Sequence, residues 1–502
     1  MKRSRDLQRA GFRLSALLLV SLYAIEISAC LIALAFYKKG ERPFLAFATT
    51  PAGLVLGVSV IALAVAALAA GALVRSGCLR GKQRVGAVLA YNLWSVALSV
   101  VTAEVIIRTF TVNLLAGPSF ANTLLLPRSW ERTVAFNKAA LAWAAANDSY
   151  LVSDPELGWT IGPSRRSRDY NQAAVESRFQ QPPHPISEGS ETNDEVSYLS
   201  SVEGLRSAQR GIALIGERAS RRIAILGDSF TFGLYVEYEQ TWGHQLESLL
   251  GNGAQVLNFG VDGYGVDQAY LRYEKDATRW HPDVVILGAI NDDLRRTMCV
   301  YAFLCFERAK MPFAKPRFVL KEQQLELENM PLPDPETIFE AASISEVPFV
   351  ADDPSYGQRS DWEEHLYHRL YLARFLISRF PRWPLPNPAI SEEAERSING
   401  EIFRAFVKNV RAHGSVPILV YFSSAKDYQA PGSPGTNSVV GEVLDAFDLP
   451  YINLKDCVGS VSPEKRFHHL HYTAEANAAV ARCLADPVRA ALDRMPSTER
   501  HQ

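Results

Sequence analysis

From Arg222 onward, short apolar runs alternate with helical stretches, and this alternation constrains the fold more than any other feature of the sequence. The first run, Arg222-Ile223-Ala224-Ile225-Leu226, leads into Gly227-Asp228-Ser229-Phe230-Thr231-Phe232-Gly233, and a helical pattern follows from about Gln240 to Leu250. The second, Gln255 to Asn258, runs into Phe259-Gly260-Val261-Asp262-Gly263-Tyr264-Gly265, with a helix predicted from Val266 to about Thr278. The third, Pro282 to Ile290, ends in Asn291-Asp292. The fourth is Val416–Phe422 and the fifth Leu449–Leu454, after which a loop reaches His468-His469-Leu470-His471 and a last helix runs from about Thr473 to Leu492. Apolar runs without polar alternation suit strands buried on both faces, and strands separated by helices suit a parallel sheet. The expected fold class is therefore α/β, a doubly wound five-stranded parallel sheet with helices on both faces.

The first 115 residues are far more apolar than the rest. Three stretches, Leu14–Tyr37, Thr50–Val74 and Val85–Ile107, each have about the 20 residues needed to cross a bilayer. Basic residues flank them: Lys2, Arg3, Arg5, Arg9 and Arg13 before the first, Lys38, Lys39 and Arg42 after it, and Arg75, Arg80, Lys82 and Arg84 after the second. The positive-inside rule then favours a cytoplasmic N-terminus and an extracytoplasmic C-terminal part, in a bacterial-type inner or plasma membrane. Ile27-Ser28-Ala29-Cys30 has the look of a lipoprotein cleavage box, but Glu26 interrupts the apolar core and the run continues to Phe36, so an uncleaved multi-pass anchor is the expectation. Glu26 near mid-span suits helix packing or a membrane-protein partner. Glu104 stands four residues before Arg108 and can pair with it. Across the whole chain 52 basic residues nearly balance 54 acidic ones, a net charge of −2, which argues against a nucleic-acid partner.

Three parts are thus expected: a membrane domain over 1–115, an extracytoplasmic linker and ordered extension over 116–220, and the α/β domain over 221–492, with an insertion at about 294–391. Ser129 can cap a helix to about Ala146, and Asp154 to Trp159 reads as a turn and a short extended segment. The polar, proline-bearing stretch from Pro163 to about Asp194, with His184 in its middle, reads as a loop. The insertion holds a predicted hairpin over Arg317–Leu327 and a helical run from Asp361 to Phe380; it is either a lid or substrate surface beside Asn291, or an excursion packing back on the sheet. In an oxidising compartment Cys299 with Cys305 and Cys457 with Cys483 would make two disulfides, the alternative being buried free thiols.

A parallel sheet with this strand order in the chain puts Ser229, Gly263, Asn291 and His471 at one edge, each after a strand. The four blocks, Gly227–Gly233, Asn258–Gly265, Gly288–Asp292 and the region of His471, resemble those of the SGNH hydrolases, also called GDSL-like esterases and lipases. The resemblance implies a flavodoxin-like sheet and an ester hydrolase without cofactor or metal. It implies Ser229 as nucleophile, His471 as base, and an oxyanion hole of the Ser229 and Gly263 N–H groups with the Asn291 amide. It departs at one place. The family usually carries an aspartate two or three residues before its histidine, where this chain has His469 and His468. These two are the candidate orienting residues, with a backbone carbonyl, a water or a distant carboxylate such as Asp456 as the other ways to hold the ring. The expected function is a membrane-anchored serine esterase acting on an extracytoplasmic acyl ester, on a glycan or lipid. An O-acyltransferase acting on cell-surface polysaccharide and an inactive glycan-binding relative are the alternatives.

Overall fold

The computed structural model describes residues 82–114, 117–121, 123–147, 149–167, 196–215, 220–251, 253–306, 311–379, 391–428 and 438–495. The first two apolar stretches, Glu26, Cys30, Cys78 and His184 lie outside these residues. The chain divides into two compact units, one of Met1–Ser129 and Ser360–Pro384, the other of Trp130–Arg359 and Leu385–Gln502.

In the first unit the third apolar stretch lies on helix α1 (Lys82–Phe110). Among the described residues no helix is long and apolar enough to cross a membrane. Among the described residues the expectation of three spanning helices is therefore unsupported, and the first two of the three stretches lie outside them. The expected pair does form, Arg108 Nη2 donating to Glu104 Oε1 at 2.8 Å. Glu104 also accepts from Leu372 N, 2.7 Å, and Arg108 donates to the Arg369 carbonyl, 2.8 Å, so the end of α1 is fixed to the helix Tyr371–Arg379.

The second unit holds a five-stranded parallel sheet of β1 (Arg221–Leu226), β2 (Ala254–Asn258), β3 (Val284–Ala289), β4 (Val416–Tyr421) and β5 (Tyr451–Asn453). In space the order is β5-β4-β3-β1-β2. The expected five-stranded parallel sheet is thus present, doubly wound, and its switch point falls at β1, which pairs with β2 on one side and β3 on the other. The side chains of β1 divide between two layers. Ala224 and Leu226 face a core shared with Ala269 and Tyr273, with Phe403 and Val410 of the helix Glu392–Ala412, and with Val443. Ile223 and Ile225 face one shared with Trp242, Leu246, Val480 and Leu484. The helices that supply these layers are α4 (Trp242–Leu250), α5 (Val266–Arg272), α7 (Glu392–Ala412), α8 (Val439–Ala446) and α9 (Ala474–Asp493). Two short helices, α3 (Ser229–Phe232) and α6 (Asn291–Arg296), follow β1 and β3, and α2 (Trp130–Ala146) precedes the sheet.

Several boundaries differ from the sequence expectation. The helix predicted to Thr278 ends at Arg272 and continues as a wider turn, Tyr273–Ala277, and a tight one, Thr278–Trp280. Tyr273, Ala277 and Trp280 on these turns all belong to the core. The turn and extended segment expected over Asp154–Trp159 are found, as the turn and second strand of a hairpin, Leu151–Asp154 with Gly158–Ile161. The insertion does not act as one piece. Its hairpin, Arg317–Lys321 with Gln324–Glu328, packs back on the domain, with Phe318 stacked on Tyr270 at 6.1 Å. The predicted helix Asp361–Phe380 is two single turns, Arg359–Asp361 and Leu366–Arg369, and a helix Tyr371–Arg379, which falls mostly in the other unit. The pairs Cys299–Cys305 and Cys457–Cys483 are both disulfides.

Candidate active site

The site is built at the C-terminal ends of β1, β2 and β3, and close backbone packing places it. Gly227, at φ +150°, has room for no side chain, since a Cβ there would stand 2.5 Å from the Gly288 carbonyl oxygen. A Cβ on Gly260 would stand 2.4 Å from Phe232 N, a backbone atom that cannot swing aside. The loop after β2 therefore lies directly on α3. Asn258 pins the two together: its Nδ2 donates to the Thr231 carbonyl at 2.9 Å and its Oδ1 accepts from Gly260 N at 2.9 Å.

Ser229 opens α3 and is almost fully buried. Asp228 caps the turn, accepting from Phe230 N at 2.9 Å. At the other end of α3 the buried Arg206 donates to the carbonyls of Phe232, Gly233 and Val236, and its guanidinium lies over the Phe232 ring at 4.5 Å. Arg206 thus fixes the turn that carries Ser229 from behind.

His471 Nε2 lies 2.9 Å from Ser229 Oγ, although 242 residues separate them. Its Nδ1 lies 3.1 Å from the His469 carbonyl oxygen. A carbonyl only accepts, so Nδ1 carries the hydrogen, and Nε2 is left to accept from the Ser229 hydroxyl. The ring's tautomer is thus the one a general base requires. The hairpin that holds it pairs Phe467–His468 with His471–Tyr472, and His469 and Leu470 form its two-residue turn at φ +44° and +72°. Both positive values place it among the tight hairpin turns that usually take Asn or Gly. Tyr472 anchors the hairpin, donating to the Ser423 carbonyl at 2.7 Å and meeting Phe230 edge-on at 4.8 Å. Tyr235 lies 5.3 Å from both the His469 and the His471 rings.

The other expected residues fall as follows. Gly263 stands in the loop after β2 at φ +77°. Asn291 opens α6 after β3, and its Oδ1 accepts from Val440 N at 3.2 Å. The side chains of His468 and His469 lie exposed, and Asp456 is exposed too. The acceptor that orients His471 is the main chain of His469, not its imidazole. Among the described residues no group of three or more His, Cys, Asp and Glu is placed to hold a metal ion.

One charged group was missed by sequence reasoning. Arg296 Nη1 donates to Asp293 Oδ1 at 2.6 Å, to Asp228 Oδ2 at 3.1 Å and to the Tyr264 carbonyl at 3.2 Å. One cation thus ties together the loops after all three strands. Burial, reinforced by the charge of Asp228, pushes the Asp293 carboxyl well above the usual range, with Arg296 opposing. Burial also pushes Asp262 up, against the charges of His471 and Arg296. The i, i+3 spacing of Asp293 and Arg296 was visible in the sequence; the link to Asp228 was not.

No protein-family model matches the chain, and no curated protein matches it. Among solved structures, the chain is similar to TesA at 11% identity and a TM-score of 0.30, over 54% of this chain and 99% of that one. It is similar to a variant of Axe2, an acetyl-xylooligosaccharide esterase from Geobacillus Stearmophilus, at 12% identity and a TM-score of 0.29, over 54% and 94%. It is likewise similar to the lipase/acylhydrolase from Enterococcus faecalis at 12% identity and a TM-score of 0.27, over 53% and 96%.

Proposed function

We propose that this chain is a serine esterase of the SGNH type, anchored in a membrane and acting on an acyl ester outside the cytoplasm. The observation that carries the reading is the 2.9 Å contact of Ser229 Oγ with His471 Nε2, on a ring whose other nitrogen donates to a carbonyl. In this reading Ser229 Oγ bonds to the ester carbonyl carbon as His471 Nε2 takes its proton. The ester C–O bond then breaks and the alcohol leaves with that proton. Water attacks the acyl-serine, His471 takes a proton from it, and the free acid departs as the proton returns to Ser229. The Ser229 and Gly263 N–H groups and the Asn291 amide would receive the oxyanion, each such donor being worth about 10²–10³ in rate.

Anchoring is supported by the apolar stretches before residue 82 and by Leu93, Trp94, Val96, Val100 and Val101, which stand exposed on α1. An extracytoplasmic site is supported by the basic flanks and by the two disulfides, which persist in oxidising compartments. A glycan or lipid is the kind of ester such a site would meet.

The test is incubation of the full chain, in detergent, with an aryl acetate and with a fluorophosphonate. Turnover is expected, together with its loss as one phosphonyl group attaches to the Ser229 peptide. A folded sample that neither turns over nor takes the label would overturn the proposal.

The His469 carbonyl makes a second expectation quantitative. Loss of the acid from a serine triad can cost about 10⁴, in large part because the ring takes the wrong tautomer. Here the tautomer is already held, so only the charge is missing. His469→Asp is expected to raise kcat/KM by no more than about tenfold, well short of the cost of a lost triad acid. A rise of a thousandfold or more would show that the carbonyl does not fix the ring.

A further inference from the structure

The insertion leaves the sheet after α6 and returns at once to the edge where Gly263 stands. A Cβ built on Gly263 would meet Met311 Cε at 3.2 Å, Met311 Sδ at 3.3 Å and Phe306 Cζ at 3.4 Å. The thioether end of Met311 and the tip of the Phe306 ring are therefore the groups that abut this glycine where a Cβ would stand. Phe306 also lies under the Arg296 guanidinium, 5.4 Å from its ring centre, and Arg296 is the group that holds Asp228 beside Ser229. Both side chains thus border Gly263, whose N–H is the expected oxyanion donor beside Ser229.

This border is a fixed wall. Met311 is 5% exposed and belongs to an apolar cluster with Trp159, Phe232, Val261, Tyr264 and Phe313. The backbone that follows it is tied down: Ala302 N donates to the Phe313 carbonyl at 2.9 Å, and Lys315 N to the Val300 carbonyl at 2.8 Å. Asp353 accepts from both Val300 N and Tyr301 N at 2.8 Å, and the Cys299–Cys305 disulfide closes the turn in front of Phe306.

We propose that Met311 and Phe306 form the end of the acyl pocket and restrict this enzyme to short acyl groups of about acetyl size. The inference rests on the esterase reading above. An ester whose carbonyl oxygen faces Gly263 N–H must send its leaving alcohol toward His471, which protonates it. The exposed turn of His469 and Leu470 leaves that side open for a bulky alcohol such as a glycan. The acyl chain takes the remaining direction, and there the apolar wall stands. Each methylene that a closed apolar pocket refuses is worth about 10–200-fold in discrimination.

The experiment compares kcat/KM for 4-nitrophenyl acetate and 4-nitrophenyl hexanoate in the full chain, in Met311→Ala and in Met311→Leu. Phosphonate titration counts the folded active sites in each, because a Met to Ala change in a core also costs stability, about 2–5 kcal/mol. The native chain is expected to favour acetate by 100-fold or more. Met311→Ala is expected to shrink that ratio at least tenfold per titrated site, and Met311→Leu, of similar volume, to keep it. Turnover of both esters with a ratio that Met311→Ala leaves unchanged would overturn the wall while leaving the esterase intact. Absence of turnover and of titratable sites in the native chain would instead overturn the esterase reading on which it stands.

Discussion

Ser229→Ala and His471→Ala are each expected to lower kcat/KM for an aryl acetate by about 10⁴–10⁶, and the double variant by no more than either alone. The reason lies in the single hydrogen bond they share. A serine hydroxyl attacks an ester slowly until its proton has somewhere to go, and at 2.9 Å His471 Nε2 is the acceptor. Without the base, Ser229 is an ordinary alcohol; without Ser229, the base has no nucleophile to serve. Two groups that act as one step are lost only once, so their penalties do not multiply. Neither change threatens the fold, since Ser229 loses one oxygen and His471 is only half-buried. The measurement is steady-state kinetics on the three variants beside a thermal melt of each. Retention of more than a few per cent of activity by Ser229→Ala would place the nucleophile elsewhere. A double variant weaker by the product of both losses would mean that the two residues work in separate steps.

The sheet was legible because burial on both faces writes itself as unbroken apolar runs. Ile223 and Ile225 fill one layer and Ala224 and Leu226 the other, so no polar residue intervenes, and all five strands lie where such runs occur. Ser229 and His471 could be paired from the sequence only through the block resemblance, because no local spacing links residues 242 apart. The acceptor for His471 was less legible. A backbone carbonyl has no residue type, and the turn that aims it carries His469 and Leu470 at positive φ where Asn or Gly would have announced a hairpin. The same holds for Arg206, whose partners are the carbonyls of Phe232, Gly233 and Val236. The insertion misled for another reason. Its helical run has an apolar periodicity, but periodicity says only that a face is covered, not by what. The structure groups most of that run with the unit that contains α1.

Asp267→Ala is expected to destabilise the sheet-bearing unit by about 3–5 kcal/mol, while joint replacement by Asp267→Leu and Lys315→Met is expected to cost far less or to stabilise. Asp267 lies in the first turn of α5, and Lys315 sits on the insertion just before its hairpin; both are almost wholly buried. The ammonium donates to Asp267 and to the carbonyls of Cys299, 3.3 Å away, and Pro316, 2.9 Å away. Burial pushes the Asp267 carboxyl up and the Lys315 ammonium down, each opposed by the charge of the other. Both shifts run toward the neutral forms, which is the sign of a pair whose desolvation cost is offset only while both members are present. Removing the carboxylate leaves a cation in the core with two carbonyls for company. Removing both leaves apolar volume in an apolar place. Urea unfolding at neutral pH, read by tryptophan fluorescence, separates the cases, because Trp159, Trp242 and Trp280 are all fully buried in this unit. The pair also fixes the backbone that leads away from Met311. The single variant is therefore expected to loosen the preference for short acyl chains as well as stability, and the double variant to restore both. Equal stability of Asp267→Ala and the native chain would show that the pair is solvated rather than buried. It would also remove the reason to treat the segment around Met311 as a fixed wall.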